Sequence, residues 1–258
     1  MSDDYAYWRD LNIASMRGFF TEIARALPHA ELLEHDGLIA AINPQTPKAS
    51  LFNSVIYRDP AAIDRALIDE LAAAYEEAGV KAWTVWVPDR DFETRSLLID
   101  AGHNLDTVPR LMGRELDDCD RPSMDGLDWT AEGSPADVTF LNDVAYGLPE
   151  GTCAAGFGDL SSEMFRLYVA RVDGEPASCV VTLDLVSDCG IYGVASAPEA
   201  RGKGLSKALM KQAILEAQQR GLKTTTLQAS RLGRPVYVRA GYRDYGCFEM
   251  WERRERND

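Results

Sequence analysis

Cysteine and histidine are scarce in this sequence, and no run of apolar residues is long. The 258 residues include 5 cysteines and 3 histidines. The cysteines lack CxxC spacing, which argues against a disulfide framework and a zinc site. No stretch approaches the roughly 18–20 apolar residues that span a bilayer, and the acidic N-terminus lacks the pattern of a signal peptide. We therefore expect reduced thiols, no metal, no membrane association and a cytoplasmic location.

Basic residues are a minority that concentrates in one stretch. The net charge of −14 argues against a nucleic-acid partner. Residues 1–125 hold 12 Lys+Arg against 23 Asp+Glu. Residues 201–243 instead carry ten basic residues, opposed only by Glu216, for a net of +9. This stretch either binds a small polyanionic ligand or consists largely of solvated helix residues.

Hydrophobic periodicity and turn residues predict a chain of alternating helices and strands. Asp36-Gly37 and Asp173-Gly174 predict hairpin turns, and residues 146–159 read as a glycine-containing loop. Helices are predicted at about 5–26, 60–78, 91–101, 135–146, 204–220 and 234–240. Strands are predicted at about 30–35, 38–43, 51–57, 81–87, 105–116, 165–172, 177–186, 189–196, 223–229 and 243–253.

The two halves of the chain repeat this order of elements. Gly79 corresponds to Gly221 at an offset of 142 residues, and Gly102 to Gly241 at an offset of 139. The alternative is a chance similarity of two mixed folds. Residues 117–128 have the composition of a turn or linker. We therefore predict a first domain at 1–118, a linker at 119–128 and a second domain at 129–258.

A glycine-containing loop stands between a predicted strand and the longest helix of the second half. It reads Arg201-Gly202-Lys203-Gly204-Leu205-Ser206. Amides at a helix N-terminus lack partners and favour anions, and glycine lets the backbone approach a phosphate closely. The loop is not a Walker motif, because Gly204 follows Lys203 where Ser or Thr is needed. The plainer alternative is a tight turn with a helix cap.

This loop and a second motif resemble the GCN5-related N-acetyltransferase (GNAT) family. The family's pyrophosphate loop reads Q/R-x-x-G-x-G/A. The segment from Arg201 to Ser206 matches it except at the last position, where Ser206 replaces Gly or Ala. The family's second motif, N-x-x-A-x-x-x-Y-x-x-x-G-F/Y, is matched by Tyr237, Gly241 and Tyr242. Ser230 replaces its Asn and Gly233 its Ala. The resemblance covers about residues 130–253.

The resemblance implies an acetyl-CoA site and a direct acyl transfer. The backbone of Val194, Ala195 and Ser196 would bind pantetheine, and the Val194 N–H would polarise the thioester carbonyl. The loop residues Arg201, Gly202, Lys203, Gly204, Leu205 and Ser206 would hold the pyrophosphate. Ser230 stands at the position of the family's cofactor-binding Asn. Tyr237 matches the general acid that protonates the leaving thiolate.

The family also implies the fold and the reaction. The fold is α+β, with two GNAT-like domains in tandem, each a mixed, mostly antiparallel twisted sheet flanked by helices. The function is transfer of an acetyl group to the amine of a small molecule or peptide. The protein is expected to be either a monomer, whose two domains form an internal pseudo-dimer, or a homodimer. The alternative is a non-catalytic acyl-CoA-binding or regulatory protein. Asp184, Glu150, Glu249 and a water chain remain open as the general base, and an acidic surface mildly favours a cationic amine.

The first half carries a degenerate copy of the loop. Arg201–Ser206 corresponds to residues 59–64, where both glycines and both cations are absent and Asp59 and Asp64 have appeared. Pro60 also removes an N–H that a phosphate would need. Tyr237 corresponds to Leu98. We therefore expect one acetyl-CoA site per chain, in the second half.

Overall fold

Two units, each a sheet with helices packed on it, make up the chain. The computed structural model describes residues 2–117 and 119–255. The first unit contains residues up to Leu111, Gln228–Arg231 and the chain from Tyr245 onward, and the second contains Met112–Leu227 and Leu232–Asp244. This division differs from the predicted domains, because the C-terminal strand clusters with the first half. Residue 118, where the first predicted domain ends, lies outside the described residues.

The first half of the chain contributes three helices and six strands among the described residues. They are α1 (Ser2–Ala26), β1 (Glu31–His35), β2 (Leu38–Ile42), β3 (Ser54–Tyr57), α2 (Arg65–Glu77), β4 (Ala82–Pro88), α3 (Phe92–Asp100), β5 (Asn104–Thr107) and β6 (Arg110–Glu115).

The second half continues this alternation through the C-terminal strand. Its elements are β7 (Asp128–Thr130), α4 (Pro135–Tyr146), α5 (Thr152–Phe157), β8 (Phe165–Val172), β9 (Glu175–Leu185), β10 (Asp188–Ser196), α6 (Leu205–Gln219), β11 (Thr224–Ala229), α7 (Arg234–Arg239) and β12 (Arg243–Arg254). No helix within residues 2–117 and 119–255 is long and apolar enough to cross a membrane.

The two units share one pairing scheme. In the first, β1–β2 and β2–β3 pair antiparallel and β3–β4 pair parallel. In the second, β8–β9 and β9–β10 pair antiparallel and β10–β11 pair parallel. In both, a helix connects the two parallel strands, as a parallel crossover requires. The mixed α/β fold class is confirmed, and the repeated order of elements is the one the sequence predicts.

Three predicted elements of the first half have different limits. The predicted strand 51–57 begins as a 3-10 turn at Ser50–Phe52 before β3. The predicted helix 60–78 contains a separate 3-10 turn, and α2 starts at Arg65 because the Asp64 carboxylate caps it. The predicted strand 105–116 divides into β5 and β6 around Pro109, whose nitrogen has no hydrogen to donate to a sheet. In the second half, the predicted loop 146–159 contains α5.

The last strand completes the sheet of the first unit. From Phe248 to Arg254, β12 pairs antiparallel with β4, and Trp251 lies opposite Val85. The Trp251 side chain is buried in the apolar core of that unit with Val85, Val87 and Leu98. The antiparallel partner of β4 therefore comes from the far end of the chain.

Candidate active site

A β-bulge interrupts β10 at the centre of the second unit. The pairing with β9 shifts register between Tyr192 and Ala195. Gly193 lies in the bulge with φ +51°, and a Cβ there would meet Val181 Cγ2 at 3.1 Å. Glycine is required here both for the left-handed backbone and for space.

Two buried side chains fix the orientation of the bulge. Asn142 on α4 donates from Nδ2 to the Gly193 carbonyl oxygen at 3.3 Å, and Cys179 on β9 donates from Sγ to the same oxygen at 3.2 Å. In a planar trans peptide the C=O and the next N–H point in opposite directions. The Val194 N–H therefore points away from Asn142 and Cys179. Burial raises the pKa of Cys179 to about 12, so this thiol remains a protonated donor.

Next to the bulge, β10 separates from β11. Their parallel pairing is confined to Asp188–Gly190 with Thr224–Thr226, whereas β10 continues to Ser196. The pairing register with β11 therefore ends before the bulge.

The glycine loop follows β10 and ends in an open helix N-terminus. Gly202 and Gly204 have φ values of +79° and +80°, and a Cβ at either position would meet nothing within 4 Å. Backbone conformation, not crowding, favours glycine at both positions. Gly204 is the N-cap of α6, and no side chain caps that helix end. Leu205 is buried and anchors the first turn. The loop thus presents uncapped amides to solvent.

Basic side chains surround this loop. Arg201 donates from Nη2 to the carbonyl of Ala145, at the end of α4, at 3.3 Å. Lys203 and Lys207 are exposed. Elsewhere in the basic stretch, three cations have carboxylate partners: Lys211 with Asp120, Arg220 with Asp184, and Arg234 with Asp244. Lys203 and Lys207, beside the helix N-terminus, have no ion pair with a carboxylate among the described residues, so they remain available to an anion.

Tyr237 lies half-buried on α7 in the same unit. Its pKa is raised, first by burial and second by the nearby Tyr146. The pKa of Tyr146 is raised in turn by desolvation and by Cys179 and Cys153. Tyr237, Tyr146 and Cys179 all belong to the second unit. Both phenols stay protonated at neutral pH.

The predicted site residues are thus partly brought together. Val194, Ala195 and Ser196 follow the bulge, and Arg201 to Ser206 form the open loop. The Ser196 hydroxyl lies 2.9 Å from that of Ser178. Ser230 follows β11 and belongs to the first unit.

The three carboxylates considered as general bases differ in environment. Asp184 forms a two-point ion pair with Arg220 at 2.6 and 2.9 Å. Glu249, in the first unit, accepts from Arg95 at 2.5 Å and from the Trp251 indole at 2.9 Å. Both are therefore engaged in structural contacts. Glu150 is exposed between α4 and α5.

Sequence reasoning missed four residues of the site, Gly193, Asn142, Tyr146 and Cys179. The sequence does indicate the bulge at Gly193, because a glycine inside a strand often marks a bulge. Asn142 and Tyr146 carry no such signal, since a polar residue on an amphipathic helix is usually solvated. Asn142 is 2% exposed. Within residues 2–117 and 119–255, no group of three His, Cys, Asp or Glu could hold a metal ion.

The corresponding position in the first unit is closed by carboxylates. Asp59 accepts from the Ala61 amide at 3.0 Å, and Asp64 accepts from the Leu67 amide at 2.8 Å at the start of α2. These side chains occupy the amides that an anion would use. The two units therefore differ in whether the helix N-terminus is open.

Comparisons with known proteins agree with this arrangement. Residues 163–244 match the family model described as "Acetyltransferase (GNAT) domain". The match spans β8 to α7 and includes the bulge, the glycine loop and Tyr237. No curated protein matches the sequence.

Solved structures share the fold along the whole chain. A GCN5-related N-acetyltransferase from Kribbella flavida superimposes with a TM-score of 0.67 at 16% identity, with 93% of each chain covered. One from Sphaerobacter thermophilus gives 0.63 at 18% identity, covering 100% of this chain and 95% of that one. A tandem GNAT protein from the clavulanic acid biosynthesis pathway gives 0.61 at 15% identity, with 99% and 97% covered. At such identities the likeness concerns the fold.

Proposed function

We propose that this protein is an N-acyltransferase, on the premise that residues 163–244 form an acetyltransferase (GNAT) domain. It transfers an acetyl group from acetyl-CoA to the amine of a small molecule or peptide. The observation that carries this proposal is the bulge at Gly193, which turns the Val194 N–H away from its neighbours beside an uncapped helix N-terminus.

The residues of β10 and the loop would bind the acyl donor. Backbone groups of Val194, Ala195 and Ser196 are suited to pantetheine, because the pairing register of β10 with β11 ends before this segment. The amides from Gly202 to Ser206 are suited to the pyrophosphate. Arg201 and Lys203 add positive charge. The Ser230 contact remains a proposal that rests on the family motif alone.

The chemical step needs one hydrogen-bond donor and two proton transfers. The amine nitrogen attacks the thioester carbonyl carbon, and the Val194 N–H stabilises the resulting oxyanion. As the C–S bond breaks, Tyr237 gives its proton to the thiolate sulfur. The proton lost by the amine leaves through water or Glu150, since Asp184 and Glu249 are held in ion pairs. No covalent acyl-enzyme is needed.

Two linked measurements test this proposal. Calorimetry with coenzyme A is expected to give one site per chain, because Asp59 and Asp64 occupy the helix amides of the first unit. A thiol reagent is then used to follow coenzyme A release from acetyl-CoA with a panel of small primary amines, cationic ones included. Binding with release supports the enzyme. Binding without release for any amine supports the non-catalytic alternative, and two sites per chain would contradict the assignment of the first unit.

A further inference from the structure

A cleft of about 520 Å³ opens on the first unit, away from any residue used above. One wall is a face of α1, where Tyr7, Leu11 and Ala14 recur at the spacing of helix turns. Ile13 contributes a buried apolar surface, and Arg17 and Arg58 bring two positive charges. The volume lies in the range of small-molecule sites, roughly 300–1,000 Å³.

Neither arginine of the cleft forms an ion pair with a carboxylate among the described residues. Arg17 Nη1 is buried, and no hydrogen-bond acceptor meets it among the described residues. Neither Arg17 nor Arg58 has a carboxylate within ion-pair distance in residues 2–117 and 119–255. The pKa of Arg17 is lowered, first by desolvation and also by Arg58, while Glu34 opposes this effect. Arg58 is exposed, and both arginines line the cleft with no carboxylate paired to them among the described residues, so the cleft can accept an anion.

The one carboxylate that lines the cleft does not fill this role. Asp10 accepts from Nε and Nη2 of Arg9 at 2.9 and 2.8 Å, through the same oxygen. Its charge is therefore balanced by Arg9, and the cleft keeps a positive excess. This excess stands out in a half of the chain that carries 12 basic against 23 acidic residues.

We propose that this cleft binds a small organic carboxylate with an apolar body. The guanidinium groups of Arg17 and Arg58 pair with the carboxylate oxygens, for which Arg geometry is well suited. The apolar body packs against Tyr7, Leu11 and Ala14. An anion with an apolar body fits better than inorganic phosphate, because four of the seven lining residues, Tyr7, Leu11, Ile13 and Ala14, offer apolar surface.

The full-length protein tests this proposal with 3-phenylpropanoate as the probe. Its neutral analogue 3-phenylpropanamide and inorganic phosphate serve as comparison ligands, and binding is measured by calorimetry and ligand-observed NMR. We expect 3-phenylpropanoate to bind at least roughly tenfold more tightly than the amide. Arg17→Gln and Arg58→Gln should each weaken it by a similar factor. Arg25→Gln, on the same helix but paired with Glu22, should leave it unchanged.

A second readout separates binding from a structural role. Because Arg17 and Arg58 repel each other, Arg58→Gln should raise the thermal midpoint of the ligand-free protein while it weakens binding. No binding of 3-phenylpropanoate up to about 10 mM would overturn the proposal, as would equal affinity for the amide or full affinity in both variants. Preferential binding of phosphate would also overturn it. Coenzyme A binding should be unchanged throughout, so this test is independent of the proposed acetyl transfer.

Discussion

Asn142 on α4 donates a hydrogen bond to the carbonyl oxygen of Gly193 on β10, at 3.3 Å. This contact joins a helix to the bulge and sets the direction of the following N–H. Asn142 also donates to the Val138 carbonyl one turn earlier at 2.8 Å, which holds its side chain in place. The geometry of the proposed oxyanion donor thus depends on a residue that need not touch the substrate.

Asn142→Leu should therefore lower kcat more than it lowers coenzyme A affinity. Leucine fills a similar volume but removes the amide donor, so only the Cys179 thiol still holds the Gly193 carbonyl and the orientation of the Gly193–Val194 peptide is less well fixed. A small misplacement of reacting groups costs on the order of 10²-fold in rate. The measurement is kcat with the best amine, beside calorimetry with coenzyme A.

Asn12→Leu is the matched control. Asn12 is also buried, and it makes the same bond to the carbonyl four residues earlier, Trp8, at 2.9 Å. It belongs to α1 of the first unit. If the two variants lose kcat equally, then Asn142 contributes stability and does not position the bulge.

Gly204→Asp should abolish coenzyme A binding without unfolding the protein. The loop around Gly204 is open, so a new side chain meets no clash, and its charge occupies the anion position. Gly204→Asn is the control, because it imposes the same φ of +80° on a neutral side chain of equal size. We expect circular dichroism to match for both and calorimetry to show binding only in the Asn variant. Undiminished binding by the Asp variant would count against the loop.

Tyr237→Phe should keep coenzyme A binding and lower kcat by on the order of 10²–10⁴-fold, the usual contribution of a general acid. Tyr168→Phe is its control, because that hydroxyl donates to Glu216 at 2.6 Å, away from the bulge. The raised pKa of Tyr237 has a further consequence. An ordinary tyrosine ionises at about pH 10. Because the pKa of Tyr237 is higher, the wild-type kcat should not fall as the pH rises to that value. A Phe variant with normal kcat under rate-limiting chemistry would assign the proton to another group.

Asp188→Asn should stabilise the protein above neutral pH. Burial raises the pKa of Asp188 from 3.8 to about 6, although Thr224 and Thr226 donate to its oxygens at 2.8 and 2.6 Å. Because the folded-state pKa is the higher one, the folded chain binds more protons between these values, and stability falls as pH rises through this window.

The variant removes that loss of stability, which is on the order of 3 kcal/mol in the free energy of unfolding. We expect the gain at about pH 8 and little change at about pH 3.5. Asp120→Asn, which removes an exposed ion pair with Lys211, should leave stability nearly unchanged at both pH values. An equal effect of Asp188→Asn at both pH values would show that the carboxylate does not titrate as described.

Trp251→Ala should destabilise the first unit by roughly 3–5 kcal/mol, as deletion of a buried aromatic side chain usually does. Trp251 lies opposite Val85 and is 7% exposed. Hydrogen exchange should show lost protection along β4. Leu232→Ala, at a position 84% exposed, should change stability by less than about 0.5 kcal/mol. Retained protection of β4 would mean that β12 contributes little to that sheet.

The sequence by itself determined the local features of this protein. Asp36-Gly37 and Asp173-Gly174 close the hairpins as predicted, with Gly37 at φ +79° and Gly174 at φ +85°. The helix 135–146 has its predicted limits, because Ser134 caps it and Gly147 ends it in the left-handed conformation. The sequence also predicted the loop with Gly202 and Gly204 at the start of one helix, and its counterpart with Asp64 in the first half. Each depends on residues a few positions apart, whose backbone preferences act wherever the segment lies.

Only the tertiary structure decided the contacts between distant segments. The hydrophobic pattern of β12 specifies a strand but not its partner, and the partner is β4, more than 150 residues earlier in the sequence. Asn142 reads as a solvated helix residue until α4 packs on β10. Arg17 and Arg58 are ordinary surface cations until α1 brings them to one cleft. Burial and pairing between distant segments depend on the whole packed fold, so the spacing of residues along the chain does not encode them.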